Sequence, residues 1–250
     1  MRKELLASLS MIGSLAAAGA AAAQTCATPP SCETLGFTKS EADCDGLEAL
    51  KCPFDQSKLY CPQGGGNMSA AAPGAILYSD GTISDSVIAS KTPVGIVAYV
   101  NGSNGFAVAL TESNQTWGGY GYNDSCLGDM DSGAASADMN GRVNTQCLVS
   151  DSRTHPAANY CNTFSAVSSG KGSSGWYLPA AGELKAMSYS YGAINLGLQK
   201  LSKTQISSSY YWSSSEYDSN YAWHVSPSDG LMYYNRIKSG SRPVRCVIAL

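Results

Sequence analysis

Gly175-Trp176-Tyr177-Leu178-Pro179, followed closely by Gly182-Glu183-Leu184, is the stretch on which the reading of the fold turns. Glycine and proline bracket an apolar trio, so the segment reads as a turn that delivers the chain into a helix. Beyond it Leu184, Met187 and Tyr191 recur at helical spacing and share one face. Leu198 and Leu201 add a further short helical turn. Upstream, His155-Pro156 places proline at a helix start. Ala157, Tyr160, Cys161 and Phe164 then fall on one face of that helix. Two helices therefore occupy the middle of the chain.

Strands flank them on both sides. Ala75-Ile76-Leu77-Tyr78 and Thr82-Ile83 surround Asp80-Gly81, a tight-turn signal. Val94 to Val100 is a near-continuous β-rich run, the mark of a strand buried on both faces. Asn101-Gly102 turns the chain and Phe106 to Leu110 returns it. After the helices, Tyr210-Tyr211-Trp212 opens a second set of strands. Tyr221 to Ser226 and Leu231 to Arg236 form a hairpin around Pro227-Ser228-Asp229-Gly230, and Val244 to Leu250 is a closing apolar strand. Strands, two helices, then strands give an α+β class. Between the two halves, Thr111 to Thr154 reads as a long irregular stretch holding Trp117, Gly118, Gly119, Cys126 and Cys147. A loop of that length is expected to be functional or pinned by a cross-link, and a Cys126–Cys147 bridge would pin it.

The N-terminal part is of another kind. Arg2 and Lys3 precede an apolar Leu- and Ala-rich run that ends in Ala21-Ala22-Ala23, so residues 1–23 read as a signal peptide cleaved before Gln24. No later segment offers the roughly 18 apolar residues of a membrane span, so no integral membrane segment is expected after cleavage. Residues 24–63 form a Cys-rich segment with Cys26, Cys32, Cys44, Cys52 and Cys61, whose pairing the sequence leaves open. Residues 64–73, opening on Gly64-Gly65-Gly66, read as a linker, and 74–250 as the main domain. The nine cysteines are an odd number, so at least one is free or intermolecular if the others pair. Export explains them, because bridges persist in oxidising compartments. The expected location is periplasmic, cell-surface or extracellular. The net charge of −3 and the lack of a basic patch argue against nucleic acid as a partner.

Four landmarks occur in order: the Gly175–Pro179 turn with its Gly182-Glu183-Leu184; Tyr211-Trp212-Ser213-Ser214-Ser215-Glu216-Tyr217; Ala222-Trp223-His224-Val225 with Asp229-Gly230; and Arg242-Pro243-Val244-Arg245-Cys246-Val247. From about Val94 to Leu250 the chain resembles bacterial C-type-lectin-like domains, close to the variable proteins of diversity-generating retroelements and related secreted surface-protein domains. The resemblance implies a C-type-lectin-like fold with two helices and antiparallel strands, its ends close together. It also implies a Cys161–Cys246 bridge between the first helix and the last strand, worth roughly 4–5 kcal/mol by loop entropy.

Strand alternation sorts the C-terminal hairpin. Trp223 and Val225 point to the core, as does Met232 on the return strand. Ala222, His224 and Ser226 point the other way, and Leu231, Tyr233 and Asn235 would share that outer face. With Tyr217, Asp218, Asn220 and Tyr221 from the loop, and Arg236 and Lys238 beyond, they would make one exposed ligand-binding patch. Aromatic and arginine side chains are the usual anchors of such patches. In the retroelement family this region is diversified at template adenines, which turn Asn codons into Tyr, Asp, His, Ser, Leu or Arg but not into Trp, Met or Lys. The outer positions fit that set except Lys238, and the supposed core positions Trp223 and Met232 lie outside it.

Other chemistry is sparse. The Glu-Pro-Asn, Gln-Pro-Asp and Trp-Asn-Asp motifs of calcium-dependent sugar binding are missing. Asp124, Asp129, Asp131, Asp138 and Asn140 crowd the middle loop, yet EF-hand spacing fails there, so no metal is assigned. No nucleophile and base pair can be named, and no cofactor is expected. The main expectation is a secreted or surface-displayed ligand-binding protein of adhesin or receptor type, not an enzyme. Its ligand would be a protein or glycan on another cell. The alternatives are a structural adhesin or pilus-tip assembly subunit and, further off, an enzyme of the formylglycine-generating type.

Overall fold

A computed structural model describes residues 50–51, 59–60, 71–102 and 104–250. The signal peptide, most of the Cys-rich segment and most of the linker lie outside the described residues. The chain divides into two units, Met1–Pro62 and Gln63–Leu250. In the first, β1 (Leu50–Lys51) pairs antiparallel with β2 (Leu59–Tyr60). The rest concerns the second unit.

Its strands and helices alternate as β3 (Ile76–Tyr78), β4 (Ile83–Ser84), β5 (Pro93–Asn101), β6 (Asn104–Ala109), β7 (Ser113–Thr116), α1 (Ser132–Ala137), α2 (Gly141–Ser150), α3 (Pro156–Thr163), β8 (Trp176–Tyr177), α4 (Ala181–Ser188), α5 (Tyr191–Lys200), β9 (Tyr211–Glu216), β10 (Ala222–Val225), β11 (Met232–Tyr233), β12 (Ser241–Val244) and β13 (Val247–Ala249). All described pairings are antiparallel. Six strands form one sheet in the order β4-β3-β5-β6-β13-β8, β11-β10-β9 form a second, and β12 pairs with β7. The α+β class follows.

The six-stranded sheet is buried on both faces, which is why β5 reads as an unbroken apolar run. On one face Ile76, Ile96, Ala98, Val108 and Val247 pack with Leu184 and Met187 of α4 and Ile194 and Leu198 of α5. On the other, Leu77, Val94, Ala107 and Ile248 pack with Leu148 of α2, Ala157, Ala158 and Cys161 of α3, and the indoles of Trp117, Trp176 and Trp212. The Asp80-Gly81 turn closes as expected: Gly81 adopts φ +83, and Asp80 Oδ1 accepts the Thr82 N–H at 3.0 Å.

Among the described residues there are five helices, where two and a further short turn were expected. The stretch 111–154 is not irregular, since it carries β7, α1 and α2. Its sequence hides them: α1 is built of Ser, Gly and Ala with no apolar stripe, and α2 buries Leu148 but exposes Val143. Asp131 caps α1 by accepting the Ala134 N–H at 2.8 Å. Tyr191 does not continue the second predicted helix; it opens α5, a full ten residues long. The α4 start is held by Glu183, whose Oε2 accepts the Ala180 N–H at 2.8 Å. Ala180 has no side-chain acceptor to return the bond, so only half of a capping box forms.

Two disulfides are present among the described residues. Cys126–Cys147 ties the loop before α1 to α2, and Cys161–Cys246 ties α3 to the segment between β12 and β13. Among the described residues no helix is long and apolar enough to cross a membrane.

Candidate functional site

The site is built on the three-stranded sheet. His224 pairs with Trp212 on one side and Tyr233 on the other, and Val225 pairs with Tyr211 and Met232. Paired residues share a face. Tyr211, Val225 and Met232 therefore face the core, as alternation predicts, and Trp223 joins them. Trp212, His224 and Tyr233 face the other way. A register shift between Ala222 and His224 interrupts the ladder.

The outer face is not bare, and this corrects the expected patch. His224 and Ser226 are each 1% exposed, and Ala222 is fully buried. The rings of Tyr210 and Trp212 meet the His224 imidazole edge-on at 5.4 and 5.6 Å, and Tyr233 lies at 6.4 Å. Ser226 belongs to the turn: its N–H donates to the Leu231 carbonyl, and its hydroxyl lies 2.9 Å from that of Ser228. Lys238, also expected outside, is fully buried. Periodicity assigned the correct side of the strand but could not show that aromatic side chains from neighbouring segments cover it.

The remaining expected residues divide into groups. Leu231, Tyr233, Asn235 and Arg236 are exposed. Tyr217 is half-buried and stacks on Tyr234 at 3.8 Å, and both rings abut the Trp223 indole. Asp218 shapes the loop, with Oδ1 accepting the N–H groups of Asn220 and Tyr221 at 2.7 and 2.9 Å. Half-buried Tyr221 bridges to Ile237. Sequence reasoning passed over Tyr234, because alternation carried from Leu231 to Asn235 leaves it off the outer face, whereas β11 ends at Tyr233 and Tyr234 is exposed.

One pocket of roughly 300 Å³ gathers Tyr233, Asn235 and Arg236 around His224, with Tyr210 and Arg242 completing its wall. The sequence marks Tyr210 only as a strand start and Arg242 only as part of a motif; neither lies in the hairpin, so nothing in the local pattern pointed to them. The Arg242 guanidinium sits 5.8 Å over the Tyr210 ring and 5.6 Å over the Trp212 ring. Its Nη1 donates to the Tyr210 carbonyl at 3.4 Å, but its buried Nε has no partner, and neither does His224 Nδ1. None of the lining residues is acidic. Burial first, then Arg236, acts against the charge on Arg242. Burial first, then Arg242, pushes His224 down to about 4, so the imidazole is neutral near pH 7.

Lys238 holds the segment that follows Arg236. Its Nζ donates to the Tyr122 carbonyl at 2.8 Å and to the Glu216 carboxylate, and it stands 4.7 Å over the Trp117 ring. Its carbonyl accepts the N–H groups of Trp117 and Gly118. Glu216 also accepts the Asp124 N–H at 3.0 Å. Burial raises the Glu216 carboxyl, against the pull of Lys238. Asp124 faces Arg153 and His155, each at 3.2 Å.

Asp124, Asp151 and His155 place three ligand-type atoms within 4.8 Å of one another. Their charge is already matched: Arg153 bonds both carboxylates, and Lys238 lies 3.8 Å from Asp124. The other loop carboxylates do not join them. Asp131 caps α1, and buried Asp138 accepts from Asn144 Nδ2 at 2.8 Å and the Ser215 hydroxyl at 2.6 Å.

Among solved structures, the fold is similar to that of a fimbrial protein from Bacteroides ovatus, with a TM-score of 0.55 and 19% sequence identity. The likeness covers 70% of this chain and 48% of the fimbrial chain, so this chain matches about half of the fimbrial protein's length. No curated protein sequence shows significant similarity to the chain. The family model of the Lcl C-terminal domain matches residues 111–248, which span α1 to α5, both disulfides and the pocket. More than half of the sequence is covered by that match, and the chain belongs to the Lcl C-terminal domain family.

Proposed function

We propose that the protein is an exported, surface-displayed binding domain of C-type-lectin-like fold that engages a protein or glycan of another cell without a catalytic step. The pocket around Arg242 and His224 takes an anionic group of that ligand. The observation that carries this reading is the unbalanced charge of the site. Two guanidinium groups, Arg236 and Arg242, line one pocket with no carboxylate, and the buried Nε of Arg242 lacks an acceptor. A carboxylate or sulfate would supply that acceptor and relieve the repulsion between the arginines. Tyr210 and Tyr233 offer apolar ring surface for the rest of the ligand, and Asn235 an adaptable amide. The disulfides support an oxidising, exported setting.

The test is binding of the full chain to an array of glycans and host glycoproteins, run beside Arg236→Ala and Arg242→Ala variants. Retained ligands should carry carboxylate or sulfate, lose affinity as salt rises, and bind the variants about tenfold or more weakly. Salt-insensitive binding that survives both substitutions would sink the reading. The likeness to a fimbrial protein favours a second reading, an adhesin or pilus assembly subunit. Sedimentation or chemical cross-linking that shows self-assembly with no ligand captured would favour it. Diversification of the hairpin is a finer proposal on the same face. Gene sequences from many isolates should then vary at codons for exposed positions such as Tyr233, Asn235 and Arg236, and stay fixed at buried His224 and Ser226.

A further inference from the structure

A second pocket of roughly 380 Å³ opens where the β5–β6 hairpin approaches α4 and β8, lined by other residues than those of the arginine pocket. We propose that it is a separate binding site for an uncharged, hydroxyl-rich ring of monosaccharide size. Its volume falls in the range of about 300–1,000 Å³ typical of small-molecule sites.

Three features of the lining point to that ligand. One wall is aromatic: Tyr99 and Phe106 stack with centroids 5.5 Å apart, and Tyr99 is only half-buried, so part of its ring is open. An aromatic ring is suited to the apolar C–H face of a pyranose. The rim carries two carboxamides, Asn101 and Asn104, which face each other across the hairpin register and are both exposed. Each offers donors and an acceptor, the mixture that vicinal hydroxyls require. The inner end carries the Glu183 carboxyl, 4% exposed. Its Oε1 accepts the Tyr177 hydroxyl at 3.0 Å and its Oε2 the Ala180 N–H at 2.8 Å. These partners are donors, and Gly141 packs against Oε2, so acceptor capacity remains on Oε1 for a ligand hydroxyl.

Charge excludes the other ligand classes. No lysine or arginine lines the pocket, so an anion finds no counter-charge, in contrast to the arginine pocket. Burial raises Glu183 to about 7, so near neutral pH it is a weaker counter-charge than an ordinary carboxylate and, when protonated, both donates to and accepts from hydroxyls. The two amides and the carboxyl would leave a purely apolar ligand with unmet polar groups.

The experiment is saturation-transfer NMR on the full chain with glucose, galactose, mannose and N-acetylglucosamine, each alone, and with tetramethylammonium as the cationic comparison. At least one sugar should receive saturation. Tyr99→Ala and Asn104→Ala should each weaken that binding by about tenfold or more with melting temperature retained, while Arg236→Ala leaves it unchanged. The proposal is overturned by no transfer to any of the four sugars, by transfer that persists in both Tyr99→Ala and Asn104→Ala, or by tetramethylammonium bound in preference to every sugar. Loss in Arg236→Ala alone would move the sugar to the other pocket and overturn it equally.

Discussion

His224 shows what a single residue contributes to this molecule. A neutral imidazole beneath two arginines leaves the guanidinium charge free for a ligand, and it carries a stability signature that can be measured. The folded-state pKa is about 4 against 6.5 for the free side chain, with burial the first cause and Arg242 the second. Between those values the unfolded chain binds a proton that the folded one refuses, so stability falls as the pH drops from 6.5 toward 4. By pH 4.5 the loss due to this residue should be about 2 kcal/mol. Urea denaturation of wild type and His224→Gln at pH 7 and pH 4.5 checks it: wild type should lose about that much more than the variant on acidification. Parallel pH profiles would show that the imidazole is not held neutral. The face that His224 occupies was legible from alternation along Ala222 to Ser226. Its burial was not, because Tyr210 and Arg242, which enclose it, reach it only through the tertiary fold.

At the scale of elements, legibility tracked how strongly a segment is patterned. The apolar run of β5, the Asp80-Gly81 turn and the Pro156 helix start each carry a local cause that survives in the fold. The helices α1 and α2 carry none: tertiary contacts and a disulfide to Cys147 support them, not an apolar stripe. The pairing of α5 with β5 is a case where the local rule and the packing oppose each other. Alanine is favoured over glycine inside a helix by about 1 kcal/mol. At Gly197, however, a β-carbon would stand 2.5 Å from the Gly74 carbonyl oxygen and 2.8 Å from Ile96 Cγ2. Both neighbours sit in the packed layer between α5 and the six-stranded sheet, so neither yields cheaply. Overpacking of this kind costs about 1–3 kcal/mol. The net effect of Gly197→Ala should be a lower melting temperature, whereas Gly192→Ala, near the start of the same helix with no atom within 4 Å, should be neutral or stabilising. A higher melting temperature for Gly197→Ala would mean that α5 lies farther from the sheet.

At the scale of the whole molecule, the two disulfides among the described residues divide stability from site geometry. Cys161–Cys246 spans a separation of 85 residues and joins α3 to the segment beside β13, whereas Cys126–Cys147 spans 21 and ties the loop before α1 to α2. Loop entropy assigns the longer link roughly 4–5 kcal/mol and the shorter about 3. Removing the long link as Cys161→Ser with Cys246→Ser should therefore cost more stability than Cys126→Ser with Cys147→Ser. The effect on the arginine pocket should run the other way. Cys126 steadies the loop that supplies the Tyr122 carbonyl and the Asp124 N–H. Those groups meet Lys238 and Glu216, and Lys238 fixes the segment between Arg236 and Arg242. Loosening this loop should spread the two guanidinium groups while the six-stranded sheet stays intact. Denaturation curves and affinity for an acidic glycan, measured on both double variants under conditions where each remains folded, separate the two effects. Affinity losses that simply follow the stability losses would show that Lys238 supports the fold without positioning the pocket. If the short link governs affinity and the long link stability, the loop of residues 117–128 is a working part of the binding face, although it lies outside the hairpin to which alternation led.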